Sequence, residues 1–334
     1  MKSDYAQAGV DIDKGEEVVR RIKKYLPDIG SFGGLFDLSG ILKSYKRPFL
    51  VQSIDGVGTK LTVAKMMNKY DTVGEDIVNH SANDIVAMGA RSLTFLDYVA
   101  NEKLEPDVME QIVAGMVRAC KEAGIALVGG ETAEMPGTYA PGEHDIAGCI
   151  TGIVEKDKII TGEKIKEGDV IFGFPSSGLH TNGYSLARKL LFDVAGHDVS
   201  TQVPELGESV GEALLHVHTN YSGPVLSLLG AGVDVRGIAH ITGGGFIENI
   251  PRVLPKNLDA EIRKGTWPIL PIFSLLQEIG KVPDSEMYRT FNMGIGLVFV
   301  VAPADKERVE KMLKGYKIYG IGKIIRGEKR VKFI

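Results

Sequence analysis

Strand-like and helix-like segments alternate along almost the whole of this chain, and that alternation confines it to a mixed α/β architecture. Residues 47–53 (RPFLVQS) read as a short apolar strand, and 61–69 as a helix start. Residues 74–88 read as a helix and 93–99 (LTFLDYV) as a strand. A helix over 105–123 carries Pro106 in its first turn and Gly124 just past its end, the expected asymmetry. Residues 125–128 form a strand that opens into a loop, GGETAEMPGTYAPGEH, and 146–154 form another strand. The polar stretch 155–167 loses any apolar period and marks a boundary between domains 1–160 and 161–334. Beyond it come a strand over 169–174, a helix over 182–191, a helix before Gly230 and a strand over 235–241. A short helix to Leu254 follows, then a strand at Ile295–Val301, a helix over 304–313 and a strand over 318–325. At 334 residues the chain is long enough for two such domains with proper cores. The expected fold is therefore two α/β (α+β) domains.

Composition narrows the function classes. A formal charge of −4 argues against a nucleic-acid partner, which ordinarily selects a basic excess. The longest apolar run, near Ile295, is too short to span a bilayer. The first residues, MKSDYAQAGVDIDKGEE, are polar and acidic, unlike a signal or transit peptide, so a cytoplasmic location is expected. Cys120 and Cys149 form no CxxC or Cys/His cluster, which speaks against a disulfide framework or a structural zinc. The 41 glycines exceed ordinary usage and gather in GG, GGG and GxG turns, as in proteins whose loops sit close to ligands.

One such turn is Asp55-Gly56-Val57-Gly58-Thr59-Lys60, at a strand-to-helix junction. Glycines let backbone N–H groups approach phosphate oxygens, the helix N-terminus adds positive potential, and Asp55 suits a divalent cation. It is not a P-loop, since the GxxxxGK[ST] spacing is absent. In the helix over 74–88, Asp76, Asn79, His80, Asn83 and Asp84 share one arc of about 140°. Either this is an ordinary solvated face, or Asn83 and Asp84 line a cleft and help to hold Mg²⁺. Glu131 and Glu134 follow the strand over 125–128, where carboxylates in α/β domains face the ligand crevice. Asp55, Asp84 and Glu131 thus make a candidate metal–phosphate site. Ser176, Ser177, Gly178, His180 and Asn182 lie between a strand and a helix, and Gly243-Gly244-Gly245 precede another helix. Both turns are candidate anion sites. His180 is either a proton-transfer or anion-stabilising group or a packed residue.

Several motifs occur in one order: YxxAGVDI, DGVGTK, NDIVAMGA, FLDY, VGGETAEMPG, SSGLHTNGYSL, HITGGGFIENIPRVLP and EMYRTFNMGIG. Over nearly the whole chain, from Tyr5 to Gly322, they resemble the phosphoribosylformylglycinamidine cyclo-ligases, or AIR synthetases. The resemblance implies a homodimer whose N-terminal four-stranded sheets join into an eight-stranded barrel, beside an α/β C-terminal domain. It implies ATP and Mg²⁺ sites at Asp55, Gly56, Gly58, Thr59, Lys60, Asn83, Asp84 and Glu131, and a lysine near ATP at Lys23. It places His180 and Asn182 in a catalytic loop, and it implies formylglycinamidine ribonucleotide as the small-molecule substrate. One segment departs from the family pattern: where relatives read LLxPTRIYVK, this chain has LLHVHTNYSG over residues 214–223. A selenophosphate synthetase is disfavoured because no cysteine precedes Cys120. A thiamine-monophosphate kinase would lack EMYRTFNMG, and a non-catalytic nucleotide-binding scaffold is the alternative from another class.

The implied reaction needs an activated amide oxygen, because that oxygen is a poor leaving group. ATP phosphorylates it, and an amidine nitrogen then attacks the same carbon and expels phosphate. Such a step depends on positioning and charge neutralisation. The substrate's own ribose 5-phosphate needs a second anion site, at Ser176, Ser177 and Gly178 or at Gly243, Gly244 and Gly245.

Overall fold

Four strands build the first sheet: β1 (Pro48–Gly56), β2 (Arg91–Asn101), β3 (Ala126–Glu134) and β4 (His144–Glu155). The computed structural model describes residues 11–26 and 33–334, so most of the Tyr5-to-Ile12 motif lies outside the described residues. The strand order is β1-β4-β2-β3, antiparallel except for the parallel β2–β3 pair. That pair is joined by the helix Pro106–Ala123, as a parallel crossover requires. This helix packs on Asp71–Ala87 through two facing glycines. A Cβ at Gly74 would lie 2.0 Å from the Ile112 carbonyl oxygen, and one at Gly115 would lie 2.0 Å from that of Asp71. Both helices stack on one sheet face, burying Phe95 and Ile150 completely. On the other face, Leu50, Ile54, Leu96 and Tyr98 are exposed.

The second half holds a six-stranded sheet and a small ribbon. Its strands are β5 (Val170–Pro175), the two-residue ribbon β6 (Gln202–Val203) and β7 (Glu208–Ser209), and β8 (Val235–His240). They continue with β9 (Leu258–Ile262), β10 (Ile295–Val301), β11 (Tyr319–Arg326) and β12 (Val331–Phe333). The order β12-β9-β11-β5-β10-β8 is antiparallel apart from β12–β9. Every residue of β10 is buried, which explains its unbroken apolar run. The alternation of elements thus yields largely antiparallel sheets, the α+β arrangement. Among the described residues, no helix is long and apolar enough to cross a membrane, and both cysteines are free thiols.

Several local expectations need correction. The GGETAE stretch is not a loop: it continues β3 to Glu134, in register with β2 as far as Asn101. Glycine is needed there because the Asp97 carboxyl folds over Gly130, where a Cβ would lie 2.1 Å from Asp97 Oδ1. The helix expected over 182–191 is a short α-helix, Tyr184–Arg188, running into a π-helical turn, Lys189–Val194. Strands β9 and β12 and the helices Val210–Leu215, Pro271–Gly280 and Asp284–Thr290 had no counterpart in the sequence reading. The polar stretch after β4 is docked: Ile160 and Ile165 are buried, and the Ile160 N–H donates to the Met88 carbonyl.

Candidate functional site

The polar arc of the helix Asp71–Ala87 does not face solvent. It meets the backbone of residues 216–221 from the other half of the chain, and Asp76, Asn79, His80 and Asn83 are all buried. Asp76 Oδ1 accepts the His218 N–H at 2.7 Å. Asn79 Nδ2 donates to the His218 carbonyl at 2.9 Å, and Asn83 Nδ2 donates to that of Thr219 at 2.8 Å. Asn83 Oδ1 accepts the Tyr221 N–H at 2.8 Å. Three- and four-residue spacing puts these side chains in one row, and the row satisfies an irregular segment that lacks sheet partners. Lys60 joins the same seam. Its Nζ lies 2.6 Å from Asp76 Oδ2 and donates to the His216 carbonyl at 2.7 Å, and both charged side chains are fully buried. Burial lowers the Lys60 ammonium and raises the Asp76 carboxyl, against their mutual attraction.

Beside this seam, four histidines and two aspartates meet. Asp55 Oδ2 lies 2.8 Å from His80 Nε2, and His80 Nδ1 lies 2.8 Å from Thr181 Oγ1. Thr181 Oγ1 is 3.4 Å from His218 Nδ1, His218 Nε2 is 3.0 Å from His240 Nε2, and His240 Nδ1 is 2.8 Å from Asp84 Oδ1. A chain of close polar contacts therefore runs from Asp55 to Asp84 across the seam, hydrogen-bonded from His80 onward. Ser53 Oγ donates to Asp84 Oδ2, and the His180 ring stacks on His218 at 3.9 Å between centroids. Burial pushes His80 down, but the Asp55 hydrogen bond and charge outweigh it and hold it above the usual imidazole range. Burial pushes Asp55 and Asp84 up, but the His80 and His240 contacts win and hold both below the usual carboxylate range. Burial, then neighbouring positive charge, holds His180 and His218 well below the ordinary histidine value. Burial also lowers His240, despite Asp84.

The structure divides the residues singled out in the sequence. Asp55, Asn83 and Asp84 converge here, next to the exposed turn at Gly58 and Thr59, where Asp55 Oδ1 accepts the Gly56 N–H at 2.7 Å. Lys60 points inward from that turn rather than outward. The hydroxyls of Ser176 and Ser177 are engaged internally, on Asn292 Oδ1 and the Val217 carbonyl, and the Gly178 carbonyl accepts from Asn292. His180 is fully buried, with φ at 64°, and its Nε2 accepts the Ser177 N–H. The Gly243 turn is more open. Asn249 Nδ2 gathers the Thr242, Gly243 and Gly245 carbonyls on the inner side, and a Cβ at Gly243 would lie 3.4 Å from Asn182 Oδ1. Gly244 and Gly245 both have positive φ and lead into the helix Gly245–Val253.

Two residues lie elsewhere in the chain. Glu131 stands on β3, at the opposite sheet edge from Asp55 on β1, about 14 Å away at the usual strand spacing. It lines a 330 Å³ cavity against the helix Ile12–Ile22, and Lys23 borders an adjoining groove of about 650 Å³. Sequence reasoning missed His218 and His240, and it gave His80 no role. The available signals were His80 four residues before Asp84, and His240 just ahead of the triple-glycine turn.

Comparison with known proteins bears on this geometry. Residues 37–154 match the N-terminal domain model of AIR synthase related proteins, and 166–333 match its C-terminal domain model. A phosphoribosylformylglycinamidine cyclo-ligase of Alkaliphilus oremlandii is 48% identical over 342 residues, covering 99% of both chains. One of Bifidobacterium longum is 51% identical over 323 residues, covering 94% of this chain and 93% of its own. The chain belongs to this cyclo-ligase family. Membership makes it an enzyme of the ligase class. Solved structures extend the fold beyond the cyclo-ligases. E. coli HypE, a hydrogenase maturation protein, superposes with a TM-score of 0.68 at 16% identity, covering 96% of this chain and 93% of its own. A thiamine-monophosphate kinase from Stenotrophomonas maltophilia gives 0.65 at 18% identity, covering 95% of each. These two share the cyclo-ligase fold; at such identities nothing more follows. The segment in which this chain departs from the cyclo-ligase pattern, 214–223, contains the backbone that the Asp71–Ala87 helix clamps.

Proposed function

We propose that the chain converts formylglycinamidine ribonucleotide and ATP into aminoimidazole ribonucleotide, ADP and phosphate, the ring closure of purine synthesis. The observation that carries this reading is near-half identity to cyclo-ligases over almost the full length. The Asp55–Thr59 turn, the Asn83-Asp84 pair, the 179–183 loop and the Gly243 turn converge at one seam, in keeping with it. The amide oxygen takes the γ-phosphoryl group, the amidine nitrogen then bonds to the same carbon, and the C–O bond breaks to release phosphate. Mg²⁺ carried with the nucleotide fits Asp55, whose side chain is 45% exposed and whose oxygens keep lone pairs beyond their present bonds. When bound it neutralises phosphate charge. Asp84 is the second oxygen donor, and Gly56, Gly58 and Thr59 form the turn that approaches the nucleotide.

For the ribose 5-phosphate we favour Gly243, Gly244 and Gly245 over Ser176, Ser177 and Gly178, whose hydroxyls already have partners. Asn182, beside Gly243, is the candidate that faces substrate. His180 acts through His218 as a positioning residue, since it is buried and stacked. Lys23 and Glu131 reach the site only in a homodimer that seats β3 of one subunit beside β1 of the other. In this reading the N-terminal half, to about residue 160, holds nucleotide, and the C-terminal half contributes the substrate site. The test is ADP release by the purified protein. ADP and aminoimidazole ribonucleotide should form together, and only when the formylglycinamidine ribonucleotide is added. ADP release indifferent to that substrate would overturn the proposal.

A further inference from the structure

The start of β1, the start of β2 and the end of β4 meet at one end of the first sheet, because β4 runs antiparallel to both neighbours. Ile153 on β4 lies opposite Leu50 on β1 and Arg91 on β2. That end is rich in cations. Lys46 and Arg47 lead into β1, Arg91 opens β2, and Lys156 and Lys158 follow β4. All five border one cavity of about 1020 Å³. It lies at the far end of β1 from Asp55, which Arg47 precedes by eight residues, about 26 Å of extended chain.

We propose that this cavity binds a small phosphate ester, of nucleotide or sugar-phosphate size, at a site separate from the ring-closure chemistry. The site stands whether or not the ring-closure reading does. Uncompensated charge is the first reason. Among the described residues, none of the five cationic side chains has a hydrogen bond or an ion pair. Two of the three carboxylates beside them are committed to backbone. Glu155 accepts the Lys46, Arg47 and Lys156 N–H groups at 2.7, 2.9 and 3.1 Å, and Asp37 accepts that of Ser39 at 2.8 Å. Only Asp157 is left facing the cations. A chain of net charge −4 thus gathers free positive charge at one concave place, which draws anions. Two of the five are arginines, whose planar forks match phosphate oxygens in pairs.

Shape is the second reason. The cavity far exceeds a bare phosphate ion and reaches the upper end of small-molecule sites, roughly 300–1,000 Å³. One wall is apolar. Leu226 and Leu229 stand three residues apart on the helix Ser222–Gly230 and share a face. Ile41 and Tyr45 border the cavity from the chain ahead of β1. A charged rim over such a wall fits a phosphate carried on a carbon-rich body. Position is the third reason, since the cations come from one half of the chain and the leucines from the other. The helix Ser222–Gly230 directly follows the clamped segment 216–221, and Gly89, which lines the cavity, follows the helix Asp71–Ala87. A ligand here touches both elements that make the seam, so its binding should stabilise the fold.

The test uses the full-length protein and two probes, AMP and ribose 5-phosphate, titrated by calorimetry. Mg²⁺ and a saturating non-hydrolysable ATP analogue are present throughout to occupy the nucleotide turn. At least one probe should bind once per chain and raise the melting temperature. Its affinity should fall as salt rises from about 0.05 to 0.3 M. The double variant Arg47→Gln, Arg91→Gln should weaken binding at least about tenfold, and Lys158→Gln about threefold. Lys311→Gln, on the helix Lys306–Met312 outside the cavity, should leave it unchanged. Binding of neither probe would overturn the site. So would binding that is unchanged in the folded double variant, or in Lys158→Gln if the double variant does not fold, because the probe would then sit elsewhere. Substrate-dependent ADP release, measured without either probe, should match the parent in these variants and reads the ring-closure proposal separately.

Discussion

At the scale of single residues, burial sets the chemistry more than residue type does. Asp97 shows it. Its carboxyl lies folded over Gly130, and burial, with a smaller contribution from the Glu131 charge, raises it to about 7. In an unfolded chain an aspartate titrates near ~3.9. The folded state therefore holds this proton more tightly. The resulting stabilisation is complete below about pH 4 and is lost as pH rises through about 7. Asp97→Asn stays neutral throughout. Its melting temperature should gain on the parent from about pH 4 to pH 7 and level off above that, and thermal melts across that series check it; a constant gap throughout would mean the carboxyl is not held as described. His180 gives a second case. Its φ of 64° is a conformation that asparagine adopts more readily than alanine. Both His180→Asn and His180→Ala lose the stack on His218, at a cost of about 1–3 kcal/mol. Alanine should cost about 1 kcal/mol more than asparagine in urea unfolding, and equal losses would show that backbone strain plays no part there.

At the scale of elements, the helix Asp71–Ala87 shows what was legible in the sequence and what was not. Its existence, its apolar face and its polar arc were all readable from periodicity, because those depend on local spacing. Its partner was not. The arc looks like a solvated face until residues 216–221 are brought against it, and no local pattern announces a contact 142 residues away in sequence. Lys60, which the family resemblance puts among the ATP positions, is paired in the structure with Asp76 across the seam, a contact its neighbours in sequence do not announce. Strand β9 and β12 escaped notice because they are short and pair only with each other and β11. The Lys60–Asp76 pair can be tested. Lys60→Met should destabilise by about 3–5 kcal/mol, since it strands a buried carboxylate. Adding Asp76→Leu should recover part of that loss, limited by the His218 N–H that Asp76 also satisfies. Chemical denaturation of the single and double variants decides it. If Lys60→Met kept full stability and lost only ATP affinity, Lys60 would be a nucleotide ligand after all.

At the scale of the whole molecule, the first sheet is unfinished. Helices cover one face, while among the described residues Leu50, Ile54, Leu96 and Tyr98 on strands β1 and β2 remain exposed, Ile54 by 73%. Register makes this a continuous surface: Ile54 and Leu96 both lie opposite Cys149 on β4. Exposed apolar surface of this kind marks an interaction face, and β1 and β3 are open edges that a second sheet can pair. The same closure would explain why Lys23 and Glu131 sit at the sheet edge opposite Asp55. A homodimer follows as the expected assembly. Sedimentation at micromolar concentration should report twice 36.1 kDa. Ile54→Lys places a charge in the middle of the bare face, where the monomer leaves it solvated and a dimer would have to bury it unpaired. That variant should sediment as a folded monomer and lose ADP release, because each subunit then lacks the edge its partner supplies. A parent protein that sediments at 36.1 kDa and still turns over would remove both the dimer and the shared site, and Lys23 and Glu131 would need another role in the groove beside the helix Ile12–Ile22.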